Sequence, residues 1–420
     1  MLMACPDCAT IQRLAPPKRG MVIECCRCGR VLEHVNGRSL DAALACAITT
    51  TLLLVAENMA TLMTVRMAGI TRSTHLASGL VIAWQQGWPI IAIALGLVGI
   101  ILPLVRFPLL SLTLLAIRSG ARGRWVGAAF RYSEALDQWA MSDVLLIGAG
   151  IGYGRIASQI PVEIDVGGWC LVGAAFMTML TRATLERRAI WRSLEMAPTH
   201  ARPDAIACPG CDLVLPPDAE GTSCPRCAAH VYRRRPSSLV YSAALLLATA
   251  ALTPIAYGYP MSEFWEFGQV HPHGIINGIL LLFENGFWYF GIVIFLVSLV
   301  FPLTKLVGLA WFLTSIWRHS TSRLRTKTRL YRFVDEVGRW STLDPLTVMI
   351  FAPMAQFGQT AHIEFMGGSA AFLATVFLSM TATQLFDPRL MWDAAEEAGT
   401  HHVTDVGNQV LRAGVSGSPG

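Results

Sequence analysis

The sequence predicts an all-α polytopic membrane protein: two tandem four-helix transmembrane units, each preceded by a small cysteine-bearing ribbon. Three observations carry that prediction. The 420 residues are 53% hydrophobic and only 15% charged, with a mean hydropathy of +0.48. A soluble domain carries about 25% charged residues, so this chain is too apolar to be wholly soluble or disordered. Eight of its 11 cysteines fall in four C-x-x-C pairs. The chain also repeats itself at an offset of about 200 residues.

The first element, residues 1–38, carries Cys5, Cys8, Cys25 and Cys28. Its copy, residues 200–236, carries Cys208, Cys211, Cys224 and Cys227. The spacings are C-x2-C-x16-C-x2-C and C-x2-C-x12-C-x2-C. Each short pair offers two thiolates to one metal, and two pairs complete a tetrahedron, which is zinc-ribbon spacing. Two zinc ions are expected. They are structural, because no ligand position is left open. A rubredoxin-type iron is the alternative for the same ligands. Thioredoxin-like redox chemistry lacks its βαβ surroundings here. Basic neighbours favour the thiolates, and metal pairs of this kind indicate a reducing compartment. Cys26 reads as a free thiol, since using it in place of Cys25 breaks the spacing. Cys46 and Cys170 lie in apolar stretches and read as small core residues.

Runs of about 20 apolar residues give eight candidate spans. Unit one, 39–190, holds 42–63, 88–116, 143–163 and 168–186. Unit two, 237–390, holds 239–258, 287–316, 344–364 and 367–386. The longest two outrun a hydrocarbon core of about 30 Å at about 1.5 Å per residue, so they tilt or project beyond it. The start is not a cleavable signal peptide, because no basic stretch precedes an apolar one. Basic residues cluster at Arg13–Arg38, Arg118–Arg131, Arg187–Arg235 and Arg318–Arg339, whereas the other side has Arg66 and Arg72. The positive-inside rule then puts both termini and both cysteine clusters in the cytoplasm. The aromatic-rich loop Tyr257–Trp288 faces outward. The polar segment 391–420 is expected to be a flexible cytoplasmic tail.

The repeat extends beyond the cysteines. Residues 79–88 (GLVIAWQQGW) match 278–287 (GILLLFENGF). Pro103–Arg106 matches Pro302–Lys305, and Trp139–Asp143 matches Trp340–Asp344. An even number of spans per copy makes the repeat parallel rather than inverted.

Several polar side chains fall in the apolar runs. Arg106 and Lys305 each follow a proline by three residues. Burying such a group in lipid is expensive, so the pair either lines an interior or snorkels to the headgroups. Asp143 and Asp344 open the third span of each unit. There they either cap a helix N-terminus or pair with the preceding basic residue, giving one polar network per half. Arg155 and Gln356 follow them by 12 residues, about 18 Å deeper along a helix. They mark an interior path or an anchor near the outer surface. Glu57 has no acidic counterpart; Tyr257 aligns with it.

No P-loop, H-E-x-x-H or intact G-x-S-x-G motif is present, so no catalytic constellation is visible and no enzyme is expected. The run Arg233–Arg235 is explained by a membrane boundary rather than by nucleic acid.

Paired C-x-x-C motifs stand before each four-helix unit. Trp139–Asp143 and Trp340–Asp344 open the third helix of each, and Pro103–Arg106 and Pro302–Lys305 lie in the second. In this the sequence resembles the paraquat-inducible protein A family of Gram-negative inner membranes, over about residues 1–390. The resemblance implies a ribbon fold for each cluster and a lipid-transport subunit. Its partners would be periplasmic MCE-domain proteins, which form tunnels for lipid between the two membranes. Phospholipid would pass to or from that tunnel, with Arg106, Lys305 or Arg155 meeting the anionic headgroup. The alternatives are a non-transporting anchor for the periplasmic partner and a metal- or redox-responsive membrane sensor. The second half departs from the first at Pro345, directly after Asp344, and at Lys305 in place of Arg106.

Overall fold

The computed structural model describes residues 2–14, 20–35, 37, 39–67, 70–157, 161–194, 205–266, 269–284, 286–354, 356 and 361–399. Ribbon one is two antiparallel hairpins. β1 (Leu2–Ala4) and β2 (Ile11–Arg13) flank the first cysteine pair, and β3 (Met21–Glu24) and β4 (Val31–Val35) flank the second. The backbone turns the same way at each pair. Cys5 N–H donates to the Thr10 carbonyl at 3.0 Å and Ala9 N–H to that of Cys5 at 2.9 Å. Cys25 with Arg30, and Gly29 with Cys25, repeat this at 2.7 and 2.9 Å. The turn ends in a left-handed residue, which Gly29 supplies without strain at φ +66°.

Unit one begins with α1 (Leu40–Met59), whose N-terminus is capped by the Ser39 hydroxyl and carries Asp41 in its first turn. The hairpin β5 (Met63–Met67) and β6 (Ile70–Thr74) follows, then α2 (Ser78–Gln85). Next, α3 (Pro89–Gly96) runs through a π turn, Leu97–Ile101, into α4 (Leu102–Arg118). Then come α5 (Arg124–Leu136), α6 (Ser142–Ala157), β7 (Val162–Ile164), α7 (Val166–Thr184) and α8 (Arg187–Ser193). Ribbon two contributes β8 (Ile206–Ala207) and β9 (Val214–Leu215).

Unit two repeats the order. It runs α9 (Ser238–Gly258), β10 (Ser262–Glu266), β11 (Gln269–His273), α10 (Ile275–Glu284) and α11 (Trp288–Ile294). A second π turn, Phe295–Val300, leads into α12 (Phe301–Trp317), then α13 (Leu324–Gly338), α14 (Leu343–Met354), β12 (Ala361–Phe365) and α15 (Gly367–Leu385). Last comes α16 (Arg389–Gly399).

Among the described residues, six helices are long and apolar enough to cross a membrane: α1, the continuous Pro89–Arg118, α7, α9, the continuous Trp288–Trp317, and α15. The sequence predicts eight spans. The two that differ, 143–163 and 344–364, each contain a shorter helix followed by a strand. α6 has 16 residues and α14 has 12, and 12 residues reach only about 18 Å. Val162–Ile164 and Ala361–Phe365 are apolar enough to blend into a window average, yet they pair as strands. They complete three-stranded sheets of order β6-β5-β7 and β11-β10-β12. Met63 faces both Thr74 and Ile164 in register, as Ser262 faces both His273 and Phe365. The expected loop Tyr257–Trp288 therefore holds β10, β11 and α10.

The π turns have a cause in the sequence. Each is followed by a proline, Pro103 or Pro302, which lacks the N–H that would bond the carbonyl four residues back. For Pro302 that carbonyl is Ser298, and it accepts from the Tyr257 hydroxyl at 2.6 Å instead. Glu57 stands at the aligned place in unit one. It is fully buried, and neither carboxylate oxygen has a hydrogen-bond partner among the described residues.

One core joins the units, with Val98 and Leu145 of the first packed in the same cluster as Leu346, Met349 and Val376 of the second. α2 is pressed onto α14. A Cβ at Gly79 would fall 1.8 Å from the Met349 carbonyl oxygen, so only glycine permits the approach. The expected flexible tail from 391 also begins differently. α16 occupies 389–399 because Met391 and Trp392 are apolar anchors with buried seats, one against unit two and one against ribbon one. Residues 400–420 lie outside the described residues.

Candidate metal centres and a buried charge network

The hairpins of each ribbon bring their four sulfurs together, all within 4.8 Å of one another. In ribbon one Cys5 and Cys28 stand 3.5 Å apart, and Cys8 and Cys25 3.6 Å. In ribbon two Cys208 and Cys227 are at 3.5 Å, and Cys211 and Cys224 at 3.7 Å. A tetrahedral ion with metal–sulfur bonds of about 2.3 Å needs edges of about 3.8 Å, so both sets already have the spacing of a ligand shell. All eight thiols are buried, whereas Cys26 is exposed. Hydrogen bonds among the thiols divide their acidities. Those from Cys5 and then Cys8 pull Cys28 down to about 2, while the bond with Cys28 pushes Cys8 up to about 12. In ribbon two Cys208 and Cys211 lower Cys227. A metal binding here displaces the shared protons.

A second cluster lies where α4, α6 and α7 meet. Arg106 is 2% exposed, and its Nη2 lies 2.6 Å from Asp137 Oδ1. Arg182, in the last turn of α7, donates from Nε to the same oxygen at 2.9 Å and from Nη1 to Asp143 Oδ2 at 2.6 Å. The sequence suggests a direct Arg106–Asp143 pair. The structure interposes Asp137 and Arg182 between them, making a four-member chain. Burial pushes Asp137 up, but the Arg106 and Arg182 charges outweigh it and hold the carboxyl below its ordinary value. Among the described residues Arg106 Nε and Nη1 and Asp143 Oδ1 are buried without hydrogen-bond partners.

Among the described residues unit two has no copy of this chain: Gly338 and Thr383 stand in place of Asp137 and Arg182. Lys305 is equally buried, at 2% exposure, and its Nζ donates to Ser379 Oγ at 3.4 Å. The bare backbone of Gly338 makes room for the lysine. A Cβ there would lie 3.3 Å from Lys305 Cε. The nearby acid is Asp335 of α13, beside a 50 Å³ cavity. Burial, and then the Glu336 charge, raises its pKa. Asp344 lies in the first turn of α14.

Gln356 sits apart from Lys305. Its Nε2 donates to the Ile363 carbonyl of β12 at 2.9 Å. Gln86 of unit one donates to that carbonyl at 2.7 Å and accepts from Phe365 N–H at 2.9 Å. Trp88 Nε1 adds a bond to the Phe365 carbonyl at 2.9 Å. Gln356 thus helps hold the edge of the second sheet. Arg155 lies near the C-terminal end of α6, and its side chain is outside the described residues.

The sequence profile of paraquat-inducible protein A matches residues 40–195 and again 239–396, one copy per unit. The chain belongs to that family. It is 26% identical to "Intermembrane transport protein PqiA" of Escherichia coli K12 over 408 residues, covering 94% of this chain and 96% of that protein. It is 28% identical to "Lipophilic envelope-spanning tunnel protein A" of the same strain over 396 residues, 93% of this chain and 91% of the relative. A "Probable intermembrane transport protein" of Haemophilus influenzae is 23% identical over 383 residues, 88% and 90% of the two chains. No solved structure matches significantly. Family, spanning helices and thiol clusters together make this a multi-pass membrane protein of an intermembrane transport family with two four-cysteine clusters that could each hold a metal ion.

Proposed function

We propose that the protein is an inner-membrane subunit of an intermembrane lipid-transport system. It passes phospholipid to or from a periplasmic MCE-type tunnel, and its role is non-enzymatic. Both ribbons and both termini lie in the cytoplasm, so α6 and α14, with the segments that follow them, complete a fourth crossing in each unit, and each ribbon holds one structural zinc ion. The names of the relatives support the transport role, and the distribution of basic residues supports the orientation.

The observation that carries the reading is the buried cation at the aligned place in each unit, Arg106 and Lys305, each with spare donors. Among the described residues Arg106 uses one nitrogen and leaves two unpartnered, and Lys305 has a single long bond to Ser379, whereas the other buried lysine, Lys327, donates to two hydroxyls. A buried cation so thinly paired is unfavourable. An anionic headgroup supplies the missing acceptors, while the surrounding apolar walls take the acyl chains.

The test is reconstitution of the protein with its periplasmic partner in vesicles carrying labelled phospholipid. The wild type moves label to the partner. The double variant Arg106→Ala, Lys305→Ala still assembles and moves little. Unchanged transfer in that variant removes the headgroup role. Binding of the partner without any transfer by the wild type makes the protein an anchor.

A further inference from the structure

The cysteine knuckles of each ribbon seat on the unit that the ribbon does not lead into. Ribbon one runs into α1 of unit one and touches that unit where Arg188 and Arg192 of α8 reach the Leu32 carbonyl and Glu33, yet both its knuckles seat on unit two. Asp7, inside the first cysteine pair and 1% exposed, accepts from Arg332 of α13. The same guanidinium places Nη2 3.2 Å from Cys28 Sγ, and Arg325 of α13 donates to the Arg27 carbonyl at 2.8 Å. α16 closes the seat. Trp392 packs in one cluster with Met3 and the four cysteines, donates to Thr328 of α13 at 3.1 Å, and lies 4.6 Å under the Arg27 guanidinium.

Ribbon two leads into α9 of unit two, where Arg234 pairs with Asp393 and Arg235 reaches the Gln384 carbonyl, but its knuckles seat on unit one. Its four cysteines share a core with Leu44 of α1, Leu114 of α4, Phe130 of α5 and Trp191 of α8. Arg226, between Cys224 and Cys227, donates to the Trp191 carbonyl at 3.2 Å. A Cβ at Gly127 of α5 would fall 2.0 Å from the Arg226 carbonyl oxygen. The crossing is reciprocal in detail. Arg131 of α5 aligns with Arg332 of α13 and lies against Gly210, the residue that replaces Asp7 in the second knuckle.

We propose that the two metal-bound ribbons are crossed braces, each holding the opposite unit in register, so that loss of metal uncouples the units. The metal-binding reading above is presupposed. A ribbon of this size has little core besides its metal, so each brace lasts as long as its ion. α13 carries the effect inward. It presents Arg332 to a thiolate, and three residues on it presents Asp335, whose field reaches Lys305. Metal occupancy therefore sets the surroundings of the buried lysine as well as the unit-to-unit register.

Hydrogen–deuterium exchange on the full chain in lipid nanodiscs tests this, with metal content measured in parallel before and after a chelator. Loss of metal is expected to remove protection together from residues 2–35, 324–338 and 389–399, and together from 124–136, 187–193 and 205–235. The interiors of α1, α7, α9 and α15 stay protected. Arg332→Ala, which keeps all four thiols, is expected to retain two metal ions while α13 and ribbon one lose protection. Exchange that rises in the ribbons alone, with α5 and α13 unmoved, overturns the braces but leaves the metal sites standing. A protein that binds no metal overturns both.

Discussion

Asp137 holds two arginines at once, and its removal strips the buried Arg106 of the carboxylate it is paired with. Breaking a buried pair from one side costs roughly 3–5 kcal/mol, so Asp137→Ala is expected to lower the thermal midpoint clearly. Arg106→Met, which removes the charge as well, lowers it less. The sign with pH follows from the depressed folded-state value of Asp137. Its stabilisation is complete above the unfolded value of about 3.9 and fades as pH falls through the lower folded value. The wild type therefore loses this contribution in strong acid, and Asp137→Asn shows a flatter acid limb in the same melts. The eight cysteines were readable in the sequence because each pair is a local spacing. Asp137 and Arg182 were not, because their bond spans 45 residues of chain and exists only when α7 packs beside the α5–α6 corner.

At the scale of elements, the π turns and the short helices decide the shape. Pro302 frees the Ser298 carbonyl and Tyr257 fills it. Tyr257→Phe leaves a buried acceptor unmet, at about 1–3 kcal/mol, and is expected to lower the melting temperature. Gly79→Ala must push α2 off α14, because the new Cβ meets a backbone oxygen. Overpacking of this kind costs about 1–3 kcal/mol, read in the same assay. Apolar length alone revealed the six long helices. The sheets stayed hidden because β7 and β12 are short and contiguous with apolar helices, so their period-two pattern is lost in a helix-length window. α16 was missed because its apolar face is short, Leu390 to Trp392 with Ala394 and Ala395, and lies next to the polar stretch that ends the chain.

Across the whole molecule the duplication is structural and its chemistry is unequal. Unit one closes Arg106, Asp137, Arg182 and Asp143 into a chain; unit two leaves Lys305 with one hydroxyl. The two substitutions are thus expected to differ. Lys305→Met, which exchanges a buried cation for a chain of similar volume, is expected to be neutral or stabilising by about 1–4 kcal/mol while lowering lipid transfer. A protein that melts higher yet carries less lipid separates the lysine's function from its packing. The duplication and the two four-cysteine clusters were legible from residue spacing. The crossing of the ribbons onto opposite units was not, since Arg332 and Arg131 read in sequence as ordinary charges on interface helices. The most direct single measurement is native mass spectrometry of the protein released intact from its membrane. The account predicts two zinc ions and bound phospholipid in the wild type, with the zinc kept and the lipid lost in the Arg106→Ala, Lys305→Ala variant. Phospholipid retained equally by that variant, or a wild type that carries none, contradicts it.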